Sequence, residues 1–538
     1  MGSPGMRFWR FINRLCGGVQ KPTKLRFTMI NLGEEEIMST EETNNMEQEV
    51  NQEQNLTEVL KVRREKLQKL QEMGRNPFLI ETWDVKNYSD DIKDNFEVME
   101  GKPVSLAGRI MAKRQMGKAS FIDIQDKQGR IQCYVRQDAI TEDEYSIFIT
   151  YDIGDIVGIE GEVFRTKHGE ISVKVANIVL LSKSLQILPE KFHGLKDQDT
   201  RYRQRYIDLI VNPDVRKTFI LRSKMIKEVK AFLEGRDFLE VDTPILTTIA
   251  GGANARPFVT HHNTLDIDMR LRISNELYLK RLIVGGFDRV YEMGKMFRNE
   301  GMSPKHNPEF TSMELYQAYG NMEDMIDITE NMVATVAQNV LGTMVIEYQG
   351  KTFDLTPPWE RLSMQDAVKK WVGEDFDKIN TDEEARVVAK KHHLKDVEKM
   401  TRGHVICALF EEFCEEYLDG PIFITGHPVE VSPLAKRDSK DPRITRRFEA
   451  YINTWEIANA FSELNDPIDQ YQRFKDQQSE LEHGNDEAHP MDEDYVNALE
   501  VGLPPTGGLG VGIDRMIILL TNSPSIRDII LFPTMKPL

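Results

Sequence analysis

Phe297-Arg-Asn-Glu-Gly-Met-Ser-Pro-Lys-His-Asn-Pro-Glu-Phe-Thr311 joins two segments with strand periodicity. Before it, Arg289 to Phe297 reads as a strand. After it, Glu309 to Ala318 alternates Phe310, Ser312, Glu314 and Tyr316 against Thr311, Met313 and Leu315, so the whole reads as a hairpin with a long loop. One face of the second strand then carries a ring, a carboxylate and a phenol, an odd set for a core. Arg298, Glu300, His306 and Asn307 crowd the loop with both charge signs. That mixture suits a ligand having both phosphates and a base.

The surrounding chain has 538 residues, 40% hydrophobic and 29% charged, which describes about two to four globular domains with ample core. No apolar run approaches the roughly 20 residues that span a bilayer. A net charge of -18 argues against a protein that coats nucleic acid indiscriminately, so any such site must be a local basic patch. Cys16, Cys133, Cys407 and Cys414 show no zinc spacing, and Cys407 and Cys414 read as core thiols of a reducing cytoplasm.

Residues 1–37 carry six basic residues against Glu34, Glu35 and Glu36 and lack the apolar core of a secretory signal. A mitochondrial presequence has this bias too. Gly33-Glu-Glu-Glu-Ile-Met38 must be encoded by a purine-rich run just before an ATG, as a bacterial ribosome-binding site would be, so the expectation is a translated leader with Met38 as the start. Residues 38–55 are rich in Glu, Gln and Asn and read as a disordered tail. Leu56 to Met73 reads as a basic amphipathic helix, with Leu56, Val59, Leu60, Leu67 and Leu70 on one side and Lys61, Arg63, Arg64, Lys66 and Lys69 elsewhere.

Five short alternating segments between Val104 and Leu181 suit a five-stranded OB-type barrel, with Arg109, Lys113, Arg114 and Lys118 as its basic patch. Together with the preceding helix they make a domain over 56–185. Residues 186–211 read as a charged linker, and 212–538 as a second domain. Its first helix runs from a cap at Asn212-Pro213 to Gly235, followed by a strand from Phe238 to Pro244. Gly251-Gly252 makes a loop that lets backbone approach a ligand closely, and Glu276, among apolar neighbours, needs a partner. Residues 351 to about 425 read as a mainly helical insertion.

Arg443 to Leu464 has a hairpin signature with Asn453-Thr454 at its turn. Tyr451 should then oppose Glu456, with Glu449 diagonal to it, and two such carboxylates can share a hard cation such as Mg²⁺. Strict alternation puts Asn459, Phe461 and Glu463 on the other face, so a shared site requires a bulge near Ile457 or Ala458. Gly507 to Arg515 is a glycine-rich strand running into a helix. Arg515 in the first turn opposes the helix dipole, which points to a role beyond stability.

In this order the segments resemble motif 1 (Asn212 to Pro244), motif 2 (Phe297 to Thr311) and motif 3 (Gly507 to Arg515) of class II aminoacyl-tRNA synthetases. With Glu314 and Tyr316, the chain from about Leu56 to Leu538 resembles the bacterial-type lysyl-tRNA synthetases of subclass IIb. The resemblance implies an α+β multidomain fold: an OB-type anticodon-binding barrel, and a catalytic domain built on an antiparallel sheet flanked by helices. It implies a cytoplasmic homodimer that uses ATP and Mg²⁺ to make lysyl-adenylate from L-lysine and pass lysine to the 3′ end of tRNA(Lys).

By resemblance, Arg298 neutralises the α-phosphate and the lysine carboxylate, Phe310 and Arg515 sandwich adenine, Glu300 accepts from its amino group, and His306 and Asn307 flank the phosphates. Glu449 and Glu456 hold Mg²⁺. Glu276 and the Gly252 backbone take the α-amino group, Asn459 the carboxylate, and Phe461 the stem. Glu314, Tyr316 and Glu463 meet the distant ammonium. Phe121, Gln132 and Glu170 read an anticodon base. Ala250 and Asn275 stand where relatives often carry proline, which bears on loop rigidity. Three alternatives share parts of this pattern: an aspartyl- or asparaginyl-type enzyme, disfavoured by the acidic pocket; an RNA-binding paralogue without aminoacylation, disfavoured by the joint presence of Arg298, Glu300, Glu449, Glu456 and Arg515; and a lysine ligase acting on protein, disfavoured by the anticodon domain.

Overall fold

The computed structural model describes residues 57–189, 195, 197–249, 251–253, 255–482 and 491–538. The expected leader and tail, and Ala250, lie outside the described residues. The chain divides into two units between Leu188 and Pro189.

In the first unit, β1 (Pro103–Met116), β2 (Ala119–Gln125), β3 (Arg130–Arg136), β4 (Ile156–Arg165) and β5 (Ile171–Ser182) close into a barrel in the order β1-β2-β3-β5-β4. Period-two alternation drives closure: Ile122, Ile124, Ile131, Cys133 and Val135 point inward and are buried, while Phe121, Asp123, Gln132 and Tyr134 share the outer face. The helix over residues 57–72 docks differently from its apolar pattern. Arg63, expected on a basic face, is buried and donates to the carbonyls of Ile153, Ser184 and Gln186, while Val59 is exposed. Three carbonyls at a strand end need donors, and only a long cation reaches them. The basic patch shrinks for the same reason. Arg109 donates to Gly154 O and Lys113 to the carbonyls of Phe148, Ile149 and Tyr151, which leaves Arg114 and Lys118 exposed.

In the second unit the main sheet contains β6 (Leu239–Glu240), β10 (Arg289–Phe297), β11 (Glu309–Ala318), β14 (Glu360–Ser363), β15 (Ile422–Thr425), β16 (Arg447–Ile452), β17 (Trp455–Ser462) and β18 (Thr506–Val511), in the order β14-β15-β16-β17-β18-β11-β10-β6. A small sheet of β7 (Leu246–Thr247), β8 (Val259–His262) and β9 (Ile267–Leu271) and a hairpin of β12 (Val345–Tyr348) and β13 (Lys351–Asp354) lie outside it. The expected antiparallel sheet is mixed. Its inner pairs are antiparallel, but β14 with β15 and β10 with β6 are parallel. The connection from β14 to β15 carries the helices Met364–Trp371, Asp382–Lys391 and Arg402–Phe413, since a parallel pair needs a long crossover. The helical insertion expected from 351 therefore begins only after Ser363.

One face of the sheet is covered by helices Pro213–Glu234 and Met322–Leu341, whose Met225, Val229, Leu233, Met325, Val333 and Val336 pack on Met313, Leu315, Ala458, Ala460, Leu509 and Val511. The second helix is held at its start by a reciprocal capping box of Asn321 and Asp324, and at its end by Gly342 in the left-handed region. The strand expected from Phe238 to Pro244 shortens to Leu239–Glu240. The expected linker is helical over Gln198–Arg203 and Arg205–Val211. Arg205, within the stretch expected as a charged linker, is fully buried. It pairs with Asp208 at 2.6 Å and donates to the carbonyls of Arg527, Ile530 and Leu531, tying this segment to the C-terminal end.

Removing this buried cation takes a donor from three carbonyls and the partner of Asp208 Oδ2, leaving Asp208 with only Arg201 and Asn212 on its other oxygen. Arg205→Ala should therefore destabilise the second unit by about 3–5 kcal/mol, read as a lower urea midpoint with the barrel's transition unmoved.

Candidate functional site

The face of the sheet away from the two long helices lines a cavity of about 640 Å³. Register decides what it contains. On β11, Phe310, Ser312, Glu314 and Tyr316 alternate with the core residues Met313 and Leu315. Glu314 lies opposite Gly510 and Tyr316 opposite Gly508; across β18, Gly510 faces Asn459 and Gly508 faces Phe461. The row ends at β16, where Glu449 opposes Asn459 and Arg447 opposes Phe461. The glycines keep the floor open. A side chain at Gly508 would meet the Tyr316 ring at 2.5 Å and collide with Glu463.

The expected bulge is present. Tyr451 pairs with Glu456 and Ala450 with Ala458, so Ile457 has no partner and alternation resets after it. Glu456, Asn459 and Phe461 consequently share the cavity face with Arg447, Glu449 and Tyr451. The turn is tight, with Asn453 and Thr454 both at positive φ.

At one end of the cavity, Arg298 follows β10 with its N–H on Pro308 O, and its guanidinium lies 5.2 Å from the Phe310 ring. Burial lowers its pKa, against the acids Glu300 and Glu456. Arg515 donates to Glu456 O at 2.7 Å, to Glu456 Oε2 at 3.2 Å and to His306 Nε2 at 3.2 Å. Arginine has only donors, so Nε2 accepts and Nδ1–H donates to Ser303 Oγ at 2.8 Å. Burial and the cations Arg515, Lys305 and Arg298 hold His306 below the usual imidazole value, consistent with that neutral ring.

Glu449 accepts from Arg447 at 2.5 Å and from the Tyr451 hydroxyl at 2.8 Å. Among the described residues, no group of three or more His, Cys, Asp or Glu could hold a metal; Glu449 and Glu456 line this wall of the cavity, with Glu411 also in its lining.

The other end is acidic. Glu314 accepts from Ser274 Oγ at 2.9 Å and from the Tyr316 hydroxyl at 3.2 Å, yet burial, reinforced by Glu276, pushes its carboxyl up to about 7. Glu276, which needed a partner, has Lys280 at 2.5 Å, and Lys280 also pairs with Glu463. Gly252, at φ +87°, lines the cavity where a Cβ would press on Ser274 and Glu276. Among the described residues, Arg298 Nε, Asn307 Oδ1 and both Glu463 carboxylate oxygens are buried with no hydrogen-bond partner, although Oε2 has the Lys280 ion pair.

One family model, described as tRNA synthetases class II (D, K and N), matches residues 197–536, and another, the OB-fold nucleic acid binding domain, matches 104–181. A lysine-tRNA ligase of Thermoanaerobacter pseudethanolicus is 59% identical over 90% of this chain and 98% of its own length. Lysine-tRNA ligases of Clostridium novyi and Clostridium botulinum are each 54% identical, over 94% and 92% of this chain and 100% and 97% of their own lengths. The chain belongs to the lysine-tRNA ligase family of class II synthetases.

In this ligase the cavity brings together all the residues expected at the ATP, metal and lysine positions: Gly252, Glu276, Arg298, Glu300, His306, Asn307, Phe310, Glu314, Tyr316, Glu449, Glu456, Asn459, Phe461, Glu463 and Arg515. On the barrel, Phe121 stacks on Tyr134 at 4.7 Å, and Tyr134 lies 6.1 Å from Phe164. Gln132 accepts from Ser172 at 3.2 Å, and Glu170 is exposed. The sequence reading omits Tyr134, although it pairs with Phe121 across two legible strands. It also omits Lys280, four residues after Glu276 on one helix, and Arg447, two before Glu449 on one strand; both spacings were available signals. Asp514 carried no such signal. It accepts from Thr311 N–H at 2.8 Å and from Arg222 at 2.6 Å, joining three distant segments.

Because Glu314 is raised above its unfolded value of 4.5, its contribution to stability is present below pH 4.5 and lost as pH rises through about 7. Between those values the protein should lose on the order of 3 kcal/mol relative to Glu314→Gln, measured as the difference in urea midpoints across the range.

Proposed function

We propose that this chain activates L-lysine with ATP and transfers it to tRNA(Lys), as its lysine-tRNA ligase relatives are named for. The observation that carries the specificity is the acidic end of the cavity, where Glu276 and Glu314 flank Glu463, whose Oε1 has no hydrogen-bond partner, a suitable counter-charge for a substrate ammonium. An aspartyl- or asparaginyl-type pocket would need cations or neutral donors there.

In the first step a lysine carboxylate oxygen attacks the α-phosphorus and the bond to pyrophosphate breaks. In the second the tRNA 3′-terminal hydroxyl attacks the adenylate carbonyl and AMP leaves. Neither step needs a nucleophilic side chain, so positioning and charge neutralisation carry the chemistry. Arg298, with Nε unpaired and buried, lies between the attacking carboxylate and the α-phosphate. Phe310 and Arg515 sandwich adenine. The bonds from Arg515 to Glu456 and His306 engage its N–H groups at the guanidinium edge, and a stacked base uses the face. Glu300 accepts from the adenine amino group, and His306 and Asn307 flank the phosphates. Gly252 and Glu276 receive the α-amino group, Asn459 the carboxylate and Phe461 the aliphatic stem, with Glu314, Tyr316 and Glu463 around the ε-ammonium.

Glu449 and Glu456 fit Mg²⁺: both are hard oxygen donors on one face of one cavity, and phosphate oxygens and water complete such a shell. Mg²⁺ held by Glu449 and Glu456 would offset negative charge developing on pyrophosphate. The outer barrel face, with Phe121, Tyr134, Gln132 and Glu170, suits a splayed anticodon base stacked on a ring and read at its edge. Homodimer formation is supported by exposed Leu239, Ile245, Leu246, Val259 and Ile267 on and beside the short strands β6 to β9. No described helix is long and apolar enough to cross a membrane.

ATP–pyrophosphate exchange assayed with lysine, aspartate and asparagine in parallel should proceed with lysine alone; exchange with either other amino acid would overturn the pocket assignment. Glu463→Gln should raise the lysine KM by about 100-fold or more, from losing a buried charge partner, with ATP KM unchanged. Phe121→Ala should weaken tRNA(Lys) charging by about 1–3 kcal/mol in kcat/KM while leaving exchange intact, since loss of a base stack does not touch adenylation.

A further inference from the structure

Lys280 sits at the back of the cavity on helix Glu276–Val284 and is fully buried. Its ammonium pairs with Glu276 Oε1 at 2.5 Å and with Glu463 Oε2, and lies 5.5 Å from the Phe461 ring centre and 5.8 Å from those of Tyr316 and Tyr495. Glu463 is also fully buried. Its backbone is fixed by its N–H on Thr506 O at 2.8 Å. One side-chain oxygen is thus committed to Lys280, while the other, Oε1, has no hydrogen-bond partner and faces the space that the missing side chain of Gly508 leaves open.

A carboxylate so placed has two ways to avoid the cost of a buried charge: take a proton or find a cation. The groups facing Glu463 are Glu276 and Lys280 from their helix, Glu314 and Tyr316 from β11, and Tyr495 from helix Glu493–Gly502. Burial, with Glu276 and Glu314, raises the Glu463 pKa well above the usual carboxyl value, and Lys280, the one cation among these groups, opposes that shift. A protonated Glu463 would be a poor partner for an ammonium.

We propose that Lys280 is a positioning residue for amino-acid selection: its ion pair opposes protonation of Glu463 and turns Oε1 toward the incoming ε-ammonium. The inference rests on the reading of Glu463 as the ammonium partner. Burial acts to lower the Lys280 pKa, but Glu276 and Glu463 outweigh it, so the ammonium stays charged. With Lys280 in place the three acids Glu276, Glu314 and Glu463 are matched by one internal cation and the two ammonium groups of lysine. An amino acid with a single ammonium group leaves that balance incomplete.

The test is a double-mutant cycle of Lys280→Met and Glu463→Gln, read by lysine-dependent ATP–pyrophosphate exchange in the full chain near pH 6.5 and pH 8.5, with ATP-induced thermal stabilisation as the folding control. Lys280→Met should raise the lysine KM by about tenfold or more near pH 6.5, with a smaller deficit at the higher pH, where loss of the Glu463 proton is easier, and ATP KM unchanged throughout. The double variant should match Glu463→Gln, because Lys280 acts through Glu463. A lysine KM in Lys280→Met within about twofold of the parent at both pH values, or losses that multiply in the double variant, would overturn the proposal. If Lys280→Met does not fold, the double variant, which removes both charges, is compared with Glu463→Gln: equality supports the proposal and a further loss overturns it. An unchanged lysine KM in Glu463→Gln would instead overturn the ammonium reading itself.

Discussion

Ile457 has no partner on the neighbouring strand, and the composition of the cavity depends on that one unpaired residue. Alternation along a strand fixes which face a side chain takes, and one inserted residue exchanges the faces beyond it. Before the bulge, Glu456 faces the cavity beside Glu449 and Tyr451; after it, Asn459 and Phe461 do. In an unbroken ladder, Asn459 and Phe461 would turn toward helices Pro213–Glu234 and Met322–Leu341, while Ala458 and Ala460 would face the ligand. The metal-binding and amino-acid-binding halves of the proposed site thus meet on one face because pairing is interrupted between them.

The two halves differ in how they meet the cost of enclosing charge. Around Arg298 and Arg515 both signs are present, and Glu456 and His306 hold the second arginine in place. Around Glu314 and Glu463 the acids outnumber the cations. There the enclosed charge is relieved by Lys280 and by the protonation that burial favours at Glu314. An acidic chamber with one oxygen left unpaired is poorly stabilised without a cation, which is a physical reason for it to prefer a cationic amino acid.

Much of this was legible in the sequence because it depends on local periodicity. The span of β11, the cavity face of Phe310, Glu314 and Tyr316, the Asn453-Thr454 turn and the five barrel strands all follow from alternation and turn chemistry. Even the bulge was implied, since polar residues stood on both parities. What escaped depends on long-range satisfaction of backbone groups. Arg63 reads as part of a basic helix face, Lys113 as part of a basic patch and Arg205 as part of a charged linker, yet each is held by carbonyls brought close only by the fold. The parallel edges of the sheet were hidden for a related reason: β6 and β14 are short, and their pairing is decided by strands about 50 to 60 residues away.

Asp514 shows how the hidden and legible parts combine. It lies in the first turn of helix Ile513–Leu520, beside Arg515, and it accepts from the Thr311 backbone and from Arg222 of helix Pro213–Glu234. Arg222 also donates to Thr311 Oγ1 at 3.1 Å. An acid in a helix's first turn is favoured by the helix dipole, and two further partners leave it little freedom. Phe310 and Arg515 are the chain neighbours of Thr311 and Asp514, so the spacing between the two groups proposed to enclose adenine is set by a buried carboxylate that need not touch the ligand. The helix behind the sheet thereby shares in the geometry of the cavity in front of it.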